Sequence, residues 1–366
     1  MSVMTESSLD YTLDFTHERA RLVAEVGGKG AGLAEMTAAG LPVAPGFVVT
    51  ASAYREYLDT DGLRADIEAL LAPVRDGDHA SYDVAERAIA QRLAEAPLPA
   101  AVAVQVREQY AALCARVGMA DVPVAVRSSA TAEDSAADSF AGEFETWVDV
   151  VGADEVLRHV HRCYVSVFTG RVLAYALERG IDLATVDMAV VVQKTVRARA
   201  AGVMFTLDPI TGDRSRIVLE ASWGLGLAVV GGEVNPDRFT VAKVGLAIAE
   251  RVVSSKHVEY RTGHASVEVP AERRDVLCLG DDEVVALATL AKQVERMNGC
   301  PQDIEFAVDE DLAAGENLVL LQCRPETVWS TVERKPAFDT GASVVSWITG
   351  TIAGSGSVPT DGHQHG

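Results

Sequence analysis

Apolar residues recur at three- and four-residue steps in three stretches of the chain. The period is clearest over residues 98–117, where Val102, Val106, Tyr110, Leu113 and Val117 fall on one side, and it returns over 154–179 and 282–298, so each predicts a helix. Short β-branched runs predict strands at 46–50, 122–127, 188–193, 202–206, 216–220, 304–308 and 318–324. Glycine-rich punctuation falls at 27–32, at 224–232 and around Gly315. The alternation predicts a mixed α and β protein from about residue 15 to 330, without internal repeats. Beyond Glu326 the pattern fades. Residues 331–366 are poor in large apolar side chains apart from 344–352, and they read as a flexible tail in which His363 and His365 are inert.

Composition narrows the classes. The 366 residues carry 32 basic and 53 acidic side chains, a formal charge of −21, which argues against binding nucleic acid or an anionic membrane through the overall field. With 48% hydrophobic and 23% charged residues, wholesale disorder is excluded and the length suits about two domains. The five cysteines are widely spaced with no zinc-type pairing, so a disulfide framework is not expected. The first residues, MSVMTESSLDYTLDF, are acidic where a signal peptide is basic and apolar. No apolar run approaches the roughly 18 residues of a membrane span. The expectation is a cytoplasmic protein.

Three segments could carry chemistry. VGGKGAGLAEM sets Lys29 among glycines just before a helix-like run, where backbone amides and a helix start favour an anion, although the order is not that of a Walker A loop. A solvated turn with a surface lysine is the plain alternative. VPVAVRSSATAEDS runs from a strand into a polar loop with Arg127 at the strand end, a planar donor fork suited to phosphate oxygens. Its alternative is a surface pair with Glu133 or Asp134. Downstream, Ala141 and Gly142 could close over a ligand, with Thr146 beyond.

The third segment is IEFAV, a short loop, then LVLLQCRPE, which predicts a hairpin. Glu305 lies opposite in face to Ile304 and Phe306, while Gln322 and Arg324 share a face. Matching faces would bring a carboxylate, an amide oxygen and a guanidinium together, a set that suits Mg²⁺ with phosphate. A cross-strand Glu305–Arg324 ion pair is the alternative. Gln193 closes the run MAVVVQ and could face an adenine edge; Glu220, Asn235 and Asp237 could line the second half. His159 and His161 are two apart on one helix, so they point in different directions and do not form a metal pair.

These motifs, with GVMFTLDPITG, SWGLG and VNPDRF between them, occur in the order seen in one family. Over about residues 20–330 the chain resembles the nucleotide-binding domain of phosphoenolpyruvate synthase, pyruvate phosphate dikinase and rifamycin phosphotransferase. The resemblance implies an α+β, two-lobed ATP-grasp fold with ATP and Mg²⁺ between lobes at 15–195 and 196–330, followed by the 331–366 tail. It implies that Lys29, Arg127 and Arg324 contact phosphates, with Thr146 in the same region. Glu305 and Gln322 match the metal ligands, and Gln193 matches a position near the adenine. One departure is Leu227, where relatives commonly carry a glutamate after SWGLG.

Relatives continue into a domain with a phosphate-accepting histidine and a domain for the final acceptor. None of the eight histidines here lies in a TCH-type motif. The resemblance therefore implies the ATP-binding subunit of a split phosphotransferase, working with a separate subunit that carries the phosphohistidine and acceptor-binding domains. Phenylphosphate and methylphenyl phosphate synthases have this architecture. A split phosphoenolpyruvate synthase, an antibiotic phosphotransferase and a non-catalytic nucleotide-binding regulatory module are the alternatives.

Overall fold

The computed structural model describes residues 10–131, 146–261 and 266–329. The described residues up to 327 form one compact unit. The expectations for Ala141 and Gly142 and for the 331–366 tail, including 344–352, His363 and His365, lie outside the described residues.

Two antiparallel sheets organise the unit. The first comprises β1 (Thr12–Asp14), β2 (Gly46–Val49), β3 (Val124–Ala130), β4 (Thr146–Val150) and β5 (Met188–Lys194), in the order β1-β2-β5-β3-β4. The second comprises β6 (Ala198–Phe205), β7 (Arg216–Trp223), β8 (Asp237–Ala242), β9 (Ile248–Val252), β12 (Gln302–Asp309) and β13 (Leu318–Pro325), in the order β13-β12-β6-β7-β8-β9. A two-stranded ribbon pairs β10 (Val258–Tyr260) with β11 (Ser266–Glu268). The change of sheet falls between Lys194 and Ala198.

The helices are α1 (Val23–Ala38), α2 (Ala51–Leu58), α3 (Leu63–Leu71), α4 (His79–Ala94), α5 (Ala100–Val117), α6 (Ala153–Ser166), α7 (Gly170–Arg179), α8 (Leu227–Val230), α9 (Ala271–Arg274) and α10 (Asp281–Asn298). The expected helix over 154–179 is two, α6 and α7. The chain turns at Thr169, and the Gly170 amide at the new helix start donates to the Glu86 carboxylate of α4 at 2.7 Å. Helix α10 starts on Asp281, Asp282 and Glu283, whose charges suit the positive helix end, and it stops at Gly299 with φ 70°.

Strand alternation divides the interior. On one face of the first sheet, Val124, Val126, Val190 and Val192 pack with the buried residues of α2 to α7. On the other, Val48, Ala189 and Val191 join Leu33 and Met36 of α1. That second core runs on to Ile304 and Phe306 of β12 and to Leu287 and Ala291 of α10. Helix α1 thus ties the sheets together. Fully burying a Leu or Ile side chain contributes about 1.5–3 kcal/mol, so this shared apolar layer outweighs any single polar contact between the sheets.

Candidate nucleotide site

The glycine-rich segment does not precede a helix, as its composition led us to expect; it lies within α1. The helix breaks at Gly27, where φ is 68° and ψ 174°, and resumes so that Lys29 sits in its first turn. Only glycine tolerates that backbone. A side chain at Gly27 would also meet the Ser129 carbonyl oxygen at 2.1 Å. Ser129 completes the joint: its hydroxyl donates to the Val26 carbonyl at 2.8 Å and accepts from the Gly30 amide at 3.1 Å. The second serine of the RSSA run is therefore a splint between β3 and α1.

On β3 the apolar Val124 and Val126 turn toward the helices, which sends Ala125, Arg127 and Ser129 the other way. Thr146 of β4 stands directly opposite Arg127, and Gln193 of β5 directly opposite Ala125. All share the inner face. Gln193 is 1% exposed, and its amide nitrogen donates to the Ala44 carbonyl at 3.2 Å. It is a buried, oriented amide.

Strands β12 and β13 form the expected hairpin. Glu305 lies opposite Gln322 and Asp303 opposite Arg324, so the four side chains share one face. A bulge after Glu305 pairs Phe306 with Leu320 and leaves Leu321 as the extra residue. The alternative Glu305–Arg324 pair does not form. Arg324 Nε instead donates to Asp303 Oδ2 at 3.3 Å, and Glu305 Oε2 lies 3.6 Å from Arg127 Nη1 of the other sheet. The Arg127 side chain is only 13% exposed, and Glu133 and Asp134, its alternative partners, lie outside the described residues. The buried Arg127 Nε has no hydrogen-bond partner, and neither has Asp303 Oδ1. Burial pushes the Asp303 carboxyl pKa up, against the pull of Arg324.

Lys29, Arg127, Thr146, Gln193, Glu305, Gln322 and Arg324 all line one cavity of about 510 Å³ between the two sheets. Its other walls are largely small or apolar, among them Ala125, Val203, Ala307 and Leu321. The volume suits a nucleotide-sized ligand. Among the described residues no group of three or more His, Cys, Asp or Glu side chains is placed to hold a metal alone. The donors at hand are the Glu305 carboxylate and the Gln322 amide oxygen, with Asp303 two residues along. Such hard oxygen donors, few in number, fit Mg²⁺ held jointly with phosphate oxygens.

Several lining residues escaped the sequence reading. Asp303 is two positions before Glu305, so strand parity alone places it on the site face. Lys194 also lines the cavity, with Nζ 3.4 Å from Oδ2 of Asp309, which joins the end of β5 to the end of β12. Leu225 and Gly226 form part of the wall, held by the Leu225 amide donating to the Tyr260 carbonyl at 2.8 Å. The Leu227 side chain lies outside the described residues.

Two weaker candidates have structural partners. Asp237 is fully buried and takes the Lys256 ammonium at 2.5 Å, the Ser254 amide at 2.9 Å and the Cys278 amide at 2.8 Å. It is a staple behind the sheet, away from the cavity. His159 and His161 diverge as expected, toward the Glu155 carbonyl and the Tyr57 hydroxyl respectively. None of the five cysteines is in a disulfide. No helix among the described residues is long and apolar enough to cross a membrane.

An α+β chain with two antiparallel sheets and a polar cleft between them has the architecture of an ATP-grasp nucleotide-binding domain. The family described as pyruvate phosphate dikinase, AMP/ATP-binding domain, matches residues 23–343, and the chain belongs to it. Similar proteins include the phosphoenolpyruvate synthase of Aeropyrum pernix, 41% identical over 83% of this chain and 41% of that protein. A probable phosphoenolpyruvate synthase of Staphylothermus marinus is 40% identical over 87% of this chain and 41% of its own length. The phosphoenolpyruvate synthase of Pyrococcus furiosus is 37% identical over 82% and 42%. The chain spans less than half the length of these relatives.

Proposed function

We propose that this chain binds Mg-ATP in the cavity and supplies its β,γ-pyrophosphoryl group to a histidine on a separate subunit. The observation that carries the reading is the convergence of three cations, Lys29, Arg127 and Arg324, with Glu305 and Gln322 on one nucleotide-sized cavity. In this reading the lobes are 15–195 and 196–330. Lys29, Arg127 and Arg324 hold the polyphosphate, and Thr146 adds a hydroxyl beside Arg127. Gln193 has committed its amide nitrogen to Ala44, so its oxygen is the group it offers an adenine amine. Glu305 and Gln322 hold Mg²⁺, which when bound neutralises phosphate charge during transfer.

Phosphoryl transfer needs positioning and charge neutralisation more than a dedicated acid or base, and this residue set provides both. The histidine nitrogen attacks Pβ, the Pα–O–Pβ bond breaks and AMP departs. Water then cleaves the Pβ–O–Pγ bond, releasing Pi and leaving phosphohistidine. Transfer to the acceptor gives the balance ATP + acceptor + H₂O → AMP + Pi + phosphorylated acceptor. No histidine among the described residues lines the cavity, so the acceptor histidine must be brought to it. We assign a phenol-type final acceptor on the resemblance to split phosphotransferases. The second reading, pyruvate as acceptor, is favoured by the phosphoenolpyruvate synthase names of the relatives.

The test uses ATP labelled separately at the β- and γ-phosphates, incubated with the protein and native lysate. Acid-labile, base-stable β-label on a second polypeptide, with γ-label released as Pi, is the expected result. Adding phenol or pyruvate then shows which acceptor discharges it. Mg-ATP binding with no labelled histidine anywhere would leave a regulatory nucleotide-binding module in place of the relay.

A further inference from the structure

Arg127 and Glu305 come from different sheets and meet at 3.6 Å across the cavity, with side chains 13% and 29% exposed. Each belongs to a set that a bound nucleotide would claim: the guanidinium for phosphate oxygens, the carboxylate for a divalent cation. The same pairing recurs one step along the hairpin, where Arg324 rests on Asp303 at 3.3 Å. Cations and anions of the site are thus interleaved and mutually compensated.

We infer that the Arg127–Glu305 pair is a partner-exchange device that couples polyphosphate and divalent-cation binding. The inference rests on the reading of this cavity as a Mg-ATP site and adds its regulation. A polyphosphate arriving alone must draw Arg127 from Glu305 and leaves a half-buried carboxylate beside its own negative charge. A cation arriving alone must draw Glu305 from Arg127 and leaves a mostly buried guanidinium beside its positive charge. Stranding one member of a buried or part-buried pair is costly in either case. When both arrive, each protein charge exchanges one partner for another of the same sign. Polyphosphate and cation therefore bind with positive coupling through the protein, and by linkage the coupling is reciprocal. The buried Arg127 Nε, which has no hydrogen-bond partner, marks donor capacity that its carboxylate partner does not use.

The signature is a substitution that improves binding of one ligand by removing the group meant for the other. In EDTA, where no cation is present, isothermal titration of ATP into wild type, Glu305→Gln, Arg127→Gln and the double variant forms a cycle. Glu305→Gln keeps the side-chain shape and frees Arg127, so it should tighten metal-free ATP binding about fivefold, the scale of a part-exposed ion pair. In the Arg127→Gln background the same substitution should give no gain, because the cycle isolates the pair term. In parallel, Arg127→Gln should tighten Mn²⁺ binding without nucleotide, read by water-proton relaxation. An unchanged or weaker metal-free ATP affinity in Glu305→Gln overturns the exchange. So does a gain that persists without Arg127, which would report only the general field. Wild type that fails to bind Mg-ATP sinks the reading of the site itself, a separate outcome from either.

Discussion

Gly27 and Ser129 touch backbone to backbone. A methyl group on Gly27 would stand 2.1 Å from the Ser129 carbonyl oxygen and 2.4 Å from its hydroxyl. This contact sets the separation of α1 from β3, and with it the position of Lys29 relative to Arg127, two residues along each element.

Gly27→Ala should therefore damage both fold and site. It meets a backbone region that only glycine occupies freely and a neighbour that is main chain and cannot yield. Strain and overpacking each cost about 1–3 kcal/mol, so a loss of about 3 kcal/mol is expected in urea unfolding. ATP affinity should fall more than adenosine affinity, because Lys29 is what the joint places. Equal stability to wild type would remove the splint role.

Much of this site could be read from parity. In β3 the valines at 124 and 126 face the helices, which leaves Arg127 and Ser129 together on the opposite face. Likewise Glu305, Gln322 and Arg324 follow from a hairpin with matched faces. Parity also gives Asp303, two positions before Glu305 on the same face. Contacts set by sheet packing were not legible. Arg127 and Glu305 are far apart in sequence, and nothing local predicts that their sheets meet there. The bulge at Glu305 has no turn residue to announce it. The apolar positions of helices α2 to α4 are interrupted by charged ones, which hides their period, and Asp237, expected to line the second half, is instead taken up by the buried Lys256.

Lys29→Ala and Arg127→Ala should separate phosphate recognition from base recognition. A hydrogen bond to a charged group contributes about 1.5–3 kcal/mol, so ATP affinity with Mg²⁺ should fall roughly tenfold or more. Adenosine affinity should stay within about twofold, since the proposed adenine contact, Gln193, is on another strand. Titration of both ligands into each variant checks this. Equal loss for both would indicate unfolding.

If the proposed relay holds, Glu305→Ala should abolish Mg-dependent AMP formation while the fold persists. The substitution leaves the largely buried Arg127 guanidinium without its carboxylate, so some stability is lost, and a circular-dichroism spectrum like that of wild type checks that the fold persists. Undiminished AMP production would remove Glu305 from the metal site.

Lys256 and Asp237 are both wholly buried, and their pair ties β8 to the segment before β10 and, through the Cys278 amide, to the segment before α10. Lys256→Met fills similar volume but strands the Asp237 carboxylate, and breaking a buried pair from one side costs about 3–5 kcal/mol. The double change Lys256→Met with Asp237→Leu should recover part of that loss in chemical denaturation. A single variant as stable as wild type would show that the two amides satisfy Asp237 alone.

His161 gives the protein an acid limit. Its Nε2 lies 2.9 Å from the Tyr57 hydroxyl and 3.1 Å from the Leu93 carbonyl, inside the helical layer. Burial lowers its pKa from 6.5, and the Leu93 carbonyl offsets this only in part. The unfolded chain therefore takes up a proton as pH falls through about 6.5, whereas folded His161 resists until lower pH. Between these points the unfolded state binds more protons, so stability drops as pH drops, by at most about 1.4 kcal/mol per pH unit from this group. Above pH 6.5 the contribution is flat. His161→Phe should be less stable at neutral pH, having lost its hydrogen bonds, yet its urea midpoint should fall less between pH 7 and 5 than that of wild type. Parallel midpoints for the two proteins across that range would show that another group sets the acid limit.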